Sequence, residues 1–115
     1  MPKHKFFNSS DDYDSTLLHE LVHWSGIEAR LNRTCASDYL KSDAAHAEEE
    51  LVAEIGLVFL ASYFGISGDL VNHASYVASW KQYLDARAVG RAMSQASKAF
   101  NWLIAHLEER KKEAA

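Results

Sequence analysis

The chain has 115 residues, enough for a single core but not for two. Hydrophobic residues make up 48% and charged residues 24%, an ordinary globular balance, and no apolar run is long enough to cross a membrane. A net charge of −4 argues against nucleic acid as a partner of this chain by itself, because phosphate binding needs clustered Lys and Arg, and a single cysteine, Cys35, excludes an internal disulfide and fits a reducing compartment.

Residues 1–14 contain the only proline and a polar Asn8-Ser9-Ser10-Asp11-Asp12 run, and they read as an extended arm without the apolar stretch of a signal peptide. The first helix follows, with Asp14 or Ser15 as its cap and Gly26 ending it in the left-handed conformation that glycine tolerates. Its sequence contains His19-Glu20-Leu21-Val22-His23, an HExxH motif. Residues four apart share a helix face, so His19 and His23 can aim their imidazoles at one metal ion. Glu20, offset by one position, flanks that ion instead of binding it, where it can hold and deprotonate a water. Leu17, Leu21 and Trp24 form one apolar stripe, and Leu18 and Val22 another.

Residues 27–33 suit a short helical turn in which Arg30 and Arg33 form ion pairs, and residues 34–42 read as a polar surface loop with Cys35 incidental to function. The second helix spans residues 43–64 and stops at Gly65. From Leu51 onward it is apolar on nearly every side, as a central helix should be. Glu54 lies inside that run, and a buried carboxylate is costly without a partner. Glu50 and Glu54 share one face, 27 and 31 residues after His23, and supply the acidic group that the first helix lacks. Glu50 is assigned as third metal ligand and Glu54 as the acceptor that orients a ligand imidazole, although residue spacing permits the two roles to be exchanged. Glu48 and Glu49 read as a solvated helix N-terminus favoured by the macrodipole.

A third helix is predicted over residues 70–84, with His73, Val77, Trp80 and Leu84 on its core stripe. His73 is either a buried, hydrogen-bonded histidine or, together with Tyr76, a donor that stabilises an oxyanion. The last helix, residues 88–113, carries Val89, Met93, Ala96, Phe100, Leu103 and Leu107 as a packing seam, and residues 108–115 form a charged, solvated tail. His4, His46 and His106 receive no role.

The blocks His19-Glu20-Leu21-Val22-His23-Trp24-Ser25-Gly26, Arg30-Leu31-Asn32-Arg33, residues 49–56 and residues 72–80 together resemble the zincin-like metallopeptidase domain of ArdC-type antirestriction proteins and related polyvalent proteins of conjugative plasmids and phages. The resemblance covers residues 6–105. It implies a bacterial cytoplasmic setting, a bound Zn2+ and a link to mobile DNA. Members usually carry an N-terminal single-stranded DNA-binding domain that this sequence lacks, so DNA binding does not carry over. Zincins usually place a sheet before the active helix, and here only residues 1–8 can supply a short strand.

The expectation is therefore one mainly α-helical domain of about four principal helices, with zinc held by His19, His23 and Glu50. Its activity would be hydrolysis of a protein or peptide substrate, with Glu20 as general base and His73 or Tyr76 stabilising the oxyanion. The competing expectation is a non-catalytic adaptor in which zinc is a structural staple. A closed coordination sphere favours the adaptor and an accessible one favours the enzyme.

Overall fold

The computed structural model describes the backbone over residues 10–66 and 70–114, and side chains over residues 13–66 and 74–114. Five helices and no strand occur among the described residues: α1 (Ser10–Ser25), α2 (Thr34–Ser37), α3 (Asp43–Phe64), α4 (Leu70–Lys81) and α5 (Ala86–Ala114). The mainly α expectation holds, and the suggested strand over residues 1–8 lies outside the described residues. No described helix is long and apolar enough to cross a membrane.

Helix α3 is the centre of the molecule, and each of the other four helices packs against it. Its boundaries follow from local chemistry. The Ser42 hydroxyl accepts from the Ala45 N–H at 3.0 Å, capping the first turn. Gly65 closes the other end at φ 69°, a conformation open to glycine at little cost, and its N–H donates to the Ala61 carbonyl. Between these caps Leu51, Val52, Leu57 and Leu60 are buried among Leu18 and Val22 of α1 and the alanines of α5.

Two boundaries and one buried stripe differ from those the sequence suggested. Helix α1 begins at Ser10, so residues 10–14 are helical and not part of an arm. Helix α4 ends at Lys81, and Leu84 is reached by a turn in which its N–H donates to the Lys81 carbonyl. The buried stripe of α5 is Ala88, Ala92, Ala96 and Ala99, with Met93 exposed. Alanine lets two helix backbones approach closely, so the small side chains face α3 while Val89, Phe100 and Leu103 pack at the flanks. Asp85 caps α5 by accepting from the Ala88 N–H at 2.8 Å.

Two glycines set how closely other groups approach α1. A Cβ on Gly56 would stand 2.9 Å from Val22 Cγ2, so α1 and α3 cross at a distance that only a missing side chain permits. Gly26 does not adopt the left-handed conformation expected from its place after the helix: among described glycines only Gly65 has positive φ. Its requirement is steric, because a Cβ there would fall on the Arg33 guanidinium.

Candidate metal centre

The α1–α3 crossing brings the two halves of the site together. His19 and His23 lie one turn apart on α1, and Glu50 and Glu54 one turn apart on the facing side of α3. His19 Nε2 and His23 Nε2 are 3.1 Å apart. Glu50 closes the triangle, with Oε2 3.3 Å from His19 Nε2 and Oε1 3.3 Å from His23 Nε2. Each of these side chains is half-buried, and their donor atoms could jointly hold a metal ion.

Each imidazole is fixed through its other nitrogen. His19 Nδ1 is 3.0 Å from Glu54 Oε1, and His23 Nδ1 is 2.7 Å from Glu49 Oε2. A carboxylate only accepts, so Nδ1 carries the proton in both rings and Nε2 of the neutral ring keeps its lone pair. Two lone pairs and a carboxylate then point at one place, an arrangement that calls for a cation. Ligand atoms at about 2.0–2.1 Å from a tetrahedral zinc are about 3.3–3.4 Å apart, close to the three separations here. The donor set of two imidazoles and one carboxylate also matches zinc chemistry.

Glu49 is not the solvated residue that its position in Glu48-Glu49-Glu50 suggested: it is 1% exposed. Arg33 grips it in a fork, Nε to Oε1 at 2.8 Å and the second guanidinium nitrogen to Oε2 at 2.9 Å. The same guanidinium donates to the Val22 carbonyl at 2.8 Å and to Ser25 Oγ at 3.1 Å, so Arg33 ties the segment after α1 to both helices. Burial opposes the charge on Glu49, but Arg33 and then His23 more than offset it and hold its pKa below the usual range. Cys35 is buried too, and its thiol donates to Glu49 Oε1 at 3.3 Å. Burial, followed by the Glu49 charge, pushes that thiol's pKa far up, which favours the protonated form. Glu48 is half-buried, with Arg91 of α5 donating to it at 2.7 Å.

Tyr39 is the site residue that the sequence concealed. Its hydroxyl donates to Glu50 Oε1 at 2.6 Å, and its ring packs on His46, which in turn meets Trp80 of α4. The segment expected to be an irregular loop, residues 34–42, is thus built into the site at Cys35 and Tyr39, while Arg33 of the preceding turn forms the ion pair expected of it. Arg30 has a different role from Arg33: its guanidinium lies over the Trp24 ring, 3.5 Å from the centroid.

Burial opposes protonation of His19, yet its hydrogen bonds to Glu50 and Glu54 reverse the effect and raise its pKa to about 9. For His23, burial is likewise outweighed by Glu49 and Glu50, and the pKa is raised to about 9. Burial acts against the charged form of Glu50, but His19, His23 and Tyr39 hold its pKa below the usual carboxylate range. Acidic partners therefore surround the imidazoles whether a proton or a metal supplies the positive charge.

Glu20 is exposed and lines a cavity of about 580 Å³ together with His19, His23, Tyr39 and Glu50. Tyr76 is 53% exposed on α4 and is not among the described residues lining that cavity. The backbone at His73 is helical, but its side chain lies outside the described residues.

A mainly helical domain with two histidines of an HExxH helix and a glutamate of the next long helix around one point, where their donor atoms could hold a metal ion, fits a zincin-like metallopeptidase. The chain belongs to the zincin-like metallopeptidase family, which matches residues 1–99. It is similar to the DNA primase TraC of Escherichia coli, 38% identical over 107 residues that are 91% of this chain and 10% of TraC. It is also similar to the uncharacterized protein y4eC of Sinorhizobium fredii (strain NBRC 101917 / NGR234), 33% identical over 108 residues, 91% of this chain and 34% of that protein. The chain thus spans about a tenth of TraC and a third of y4eC. No solved structure matches it.

Proposed function

We propose that this domain is a zinc-dependent peptide hydrolase, with His19, His23 and Glu50 as metal ligands and Glu20 as general base. The observation that carries this reading is the convergence of the His19 and His23 Nε2 atoms with Glu50 at 3.1–3.3 Å. When bound, zinc would supply a Lewis acid for the peptide carbonyl and lower the pKa of water towards ~7. Glu54 and Glu49 hold the ligand imidazoles in the Nδ1–H tautomer, and Tyr39 orients the Glu50 carboxylate. Glu20 accepts the proton of the attacking water and passes it to the departing amine.

The oxyanion donor expected at His73 or Tyr76 has a third candidate in Tyr39, whose hydroxyl is already at the ligand cluster. The accessible cavity beside the donors, lined by Glu20, favours the hydrolase over the adaptor with a closed structural zinc. The substrate in this reading is a protein or peptide, acted on in the bacterial cytoplasm. Nucleic acid is not a partner of the chain by itself. The antirestriction and mobile-DNA connection of the family is part of the proposal, and relatives named as primases of the TraC type support it.

The test is removal and return of the metal. Dialysis against a chelator should abolish cleavage of an unfolded protein substrate, and addition of about one equivalent of zinc should restore it. Cleavage that persists in the metal-free chain would rule the reading out.

A further inference from the structure

The core uses Leu18 and Val22 of α1, which are 7% and 0% exposed, whereas Leu17, Trp24 and Ile27 are 37%, 40% and 47% exposed. Those exposed groups, with Leu21, line a cavity of about 450 Å³ whose remaining walls are Glu20 and His23. Glu20, His23 and Ile27 also line the cavity over the ligand cluster. On the far side, Leu21 and Trp24 open into an apolar slot of about 290 Å³ between α1, α3 and α5, floored by Leu60, Phe64 and Leu103. A single trough therefore runs from the ligand cluster across the outer stripe of α1 into the slot, with adjoining cavities sharing walls.

We infer that the Leu17–Leu21–Trp24–Ile27 cavity binds a large apolar side chain of a polypeptide substrate immediately beside the scissile bond, and that the slot takes apolar residues further along. The inference rests on the hydrolase reading and adds the substrate class. An extended chain advances about 3.3 Å per residue, so a carbonyl at the His19–His23 pair puts the neighbouring residue beside Glu20 and His23, the walls common to both cavities. The stripe is apolar where it leaves the ligand cluster: Glu20 and His23 are the polar walls of the cavity, and the nearby Arg30 guanidinium is already stacked on the Trp24 ring. An apolar residue of the substrate buries its own surface and covers these exposed groups, whereas a charged one loses hydration without a partner.

The experiment uses capped peptides identical except at one position, which is Leu, Phe, Ala, Asp or Lys. Their binding to the zinc-loaded Glu20→Gln chain is measured by fluorescence anisotropy. Leu and Phe peptides should bind about 10- to 100-fold more tightly than the Ala peptide, and Asp and Lys peptides no better than Ala. Leu17→Lys and Ile27→Lys, both at exposed positions, should retain zinc and melting temperature while erasing the preference. Equal binding of all five peptides, or a preference that survives both lysine variants, would overturn the inference. So would self-association of the chain that Leu17→Lys dissolves in sedimentation, because the trough would then be an interface between copies. An intact binding preference with no cleavage by the zinc-loaded wild type would count against the hydrolase reading and leave the trough as a peptide-binding groove.

Discussion

Glu49 Oε2 lies 2.7 Å from His23 Nδ1, and Arg33 holds the same carboxylate from the opposite side. The chain Arg33–Glu49–His23 reaches the ligand cluster from the protein interior, with both Arg33 and Glu49 side chains almost fully buried. Glu49→Gln keeps the volume but weakens the grip on Nδ1, and zinc affinity should fall about 10- to 100-fold in a competition titration. Arg33→Met removes the main counter-charge of the buried Glu49 and leaves it only His23 and the Cys35 thiol, which should cost about 3–5 kcal/mol of stability in denaturant unfolding. Glu49→Gln likewise strands the buried Arg33 guanidinium, so both variants should lose stability, and an unchanged unfolding midpoint in either would show that the pair is not organised in this way.

Glu50 and Glu54 meet different nitrogens of His19, and their variants should separate accordingly. Glu50→Ala removes a ligand and should abolish stoichiometric zinc binding. Glu54→Ala should retain zinc with affinity reduced about 10- to 100-fold. Metal content after gel filtration reads the ranking, and the reverse order would exchange the two roles.

How much of this was legible in the sequence depends on the range of the interaction. The His19–His23 pair, the bounds of α3 and the cap at Gly65 are set by spacings of a few residues, and they were readable. The shared face of Glu50 and Glu54 was equally visible from periodicity. Glu49 was not: what buries it is Arg33, 16 residues earlier in the chain, and nothing inside the Glu48-Glu49-Glu50 run separates a clamped carboxylate from a solvated one. Tyr39 escaped notice for the same reason, because its partner is Glu50 and its segment is polar. The α5 seam was legible in part: Val89, Ala96, Phe100 and Leu103 do pack on the core, but Met93 is exposed, and Ala88, Ala92 and Ala99, whose small side chains permit the close approach, do not stand out in the sequence as buried positions.

Close approach also gives a prediction for Gly56. In Gly56→Ala the new methyl would meet Val22, 2.9 Å away, and push α1 from α3. Stability should drop by about 1–3 kcal/mol, and zinc affinity should fall with it because the ligands sit on opposite sides of that crossing. Adding Val22→Ala should recover part of the lost affinity, a coupling that a double-mutant cycle measures. Strict additivity would mean that the two side chains do not compete for the same space.

The raised pKa values of His19 and His23 make the metal-free chain sensitive to alkali. Both are raised from 6.5 to about 9, so the stability that the protonated rings contribute is complete below pH 6.5 and is lost as pH rises through about 9. Glu50, with its pKa lowered from 4.5, contributes stability that is present above pH 4.5 and is lost as pH falls through its folded value. Zinc competes with the imidazole protons, so its stabilisation grows over the same alkaline window. Melting temperatures with and without zinc should therefore diverge between pH 6.5 and 9. Parallel curves would mean that zinc displaces no proton from these rings.

In the proposed reaction Glu20 acts as a base beside a metal that it does not bind. Glu20→Gln preserves volume and hydrogen bonding but cannot accept a proton from the attacking water. The direct measurement is single-turnover cleavage of a peptide by wild type and Glu20→Gln at matched, confirmed zinc content. Equal zinc, melting temperatures within a few degrees and a loss of at least about 100-fold in rate are expected, as removal of a positioned general base implies. Equal rates in the two proteins, or no cleavage by zinc-loaded wild type alongside unchanged biological effect of Glu20→Gln, would contradict it.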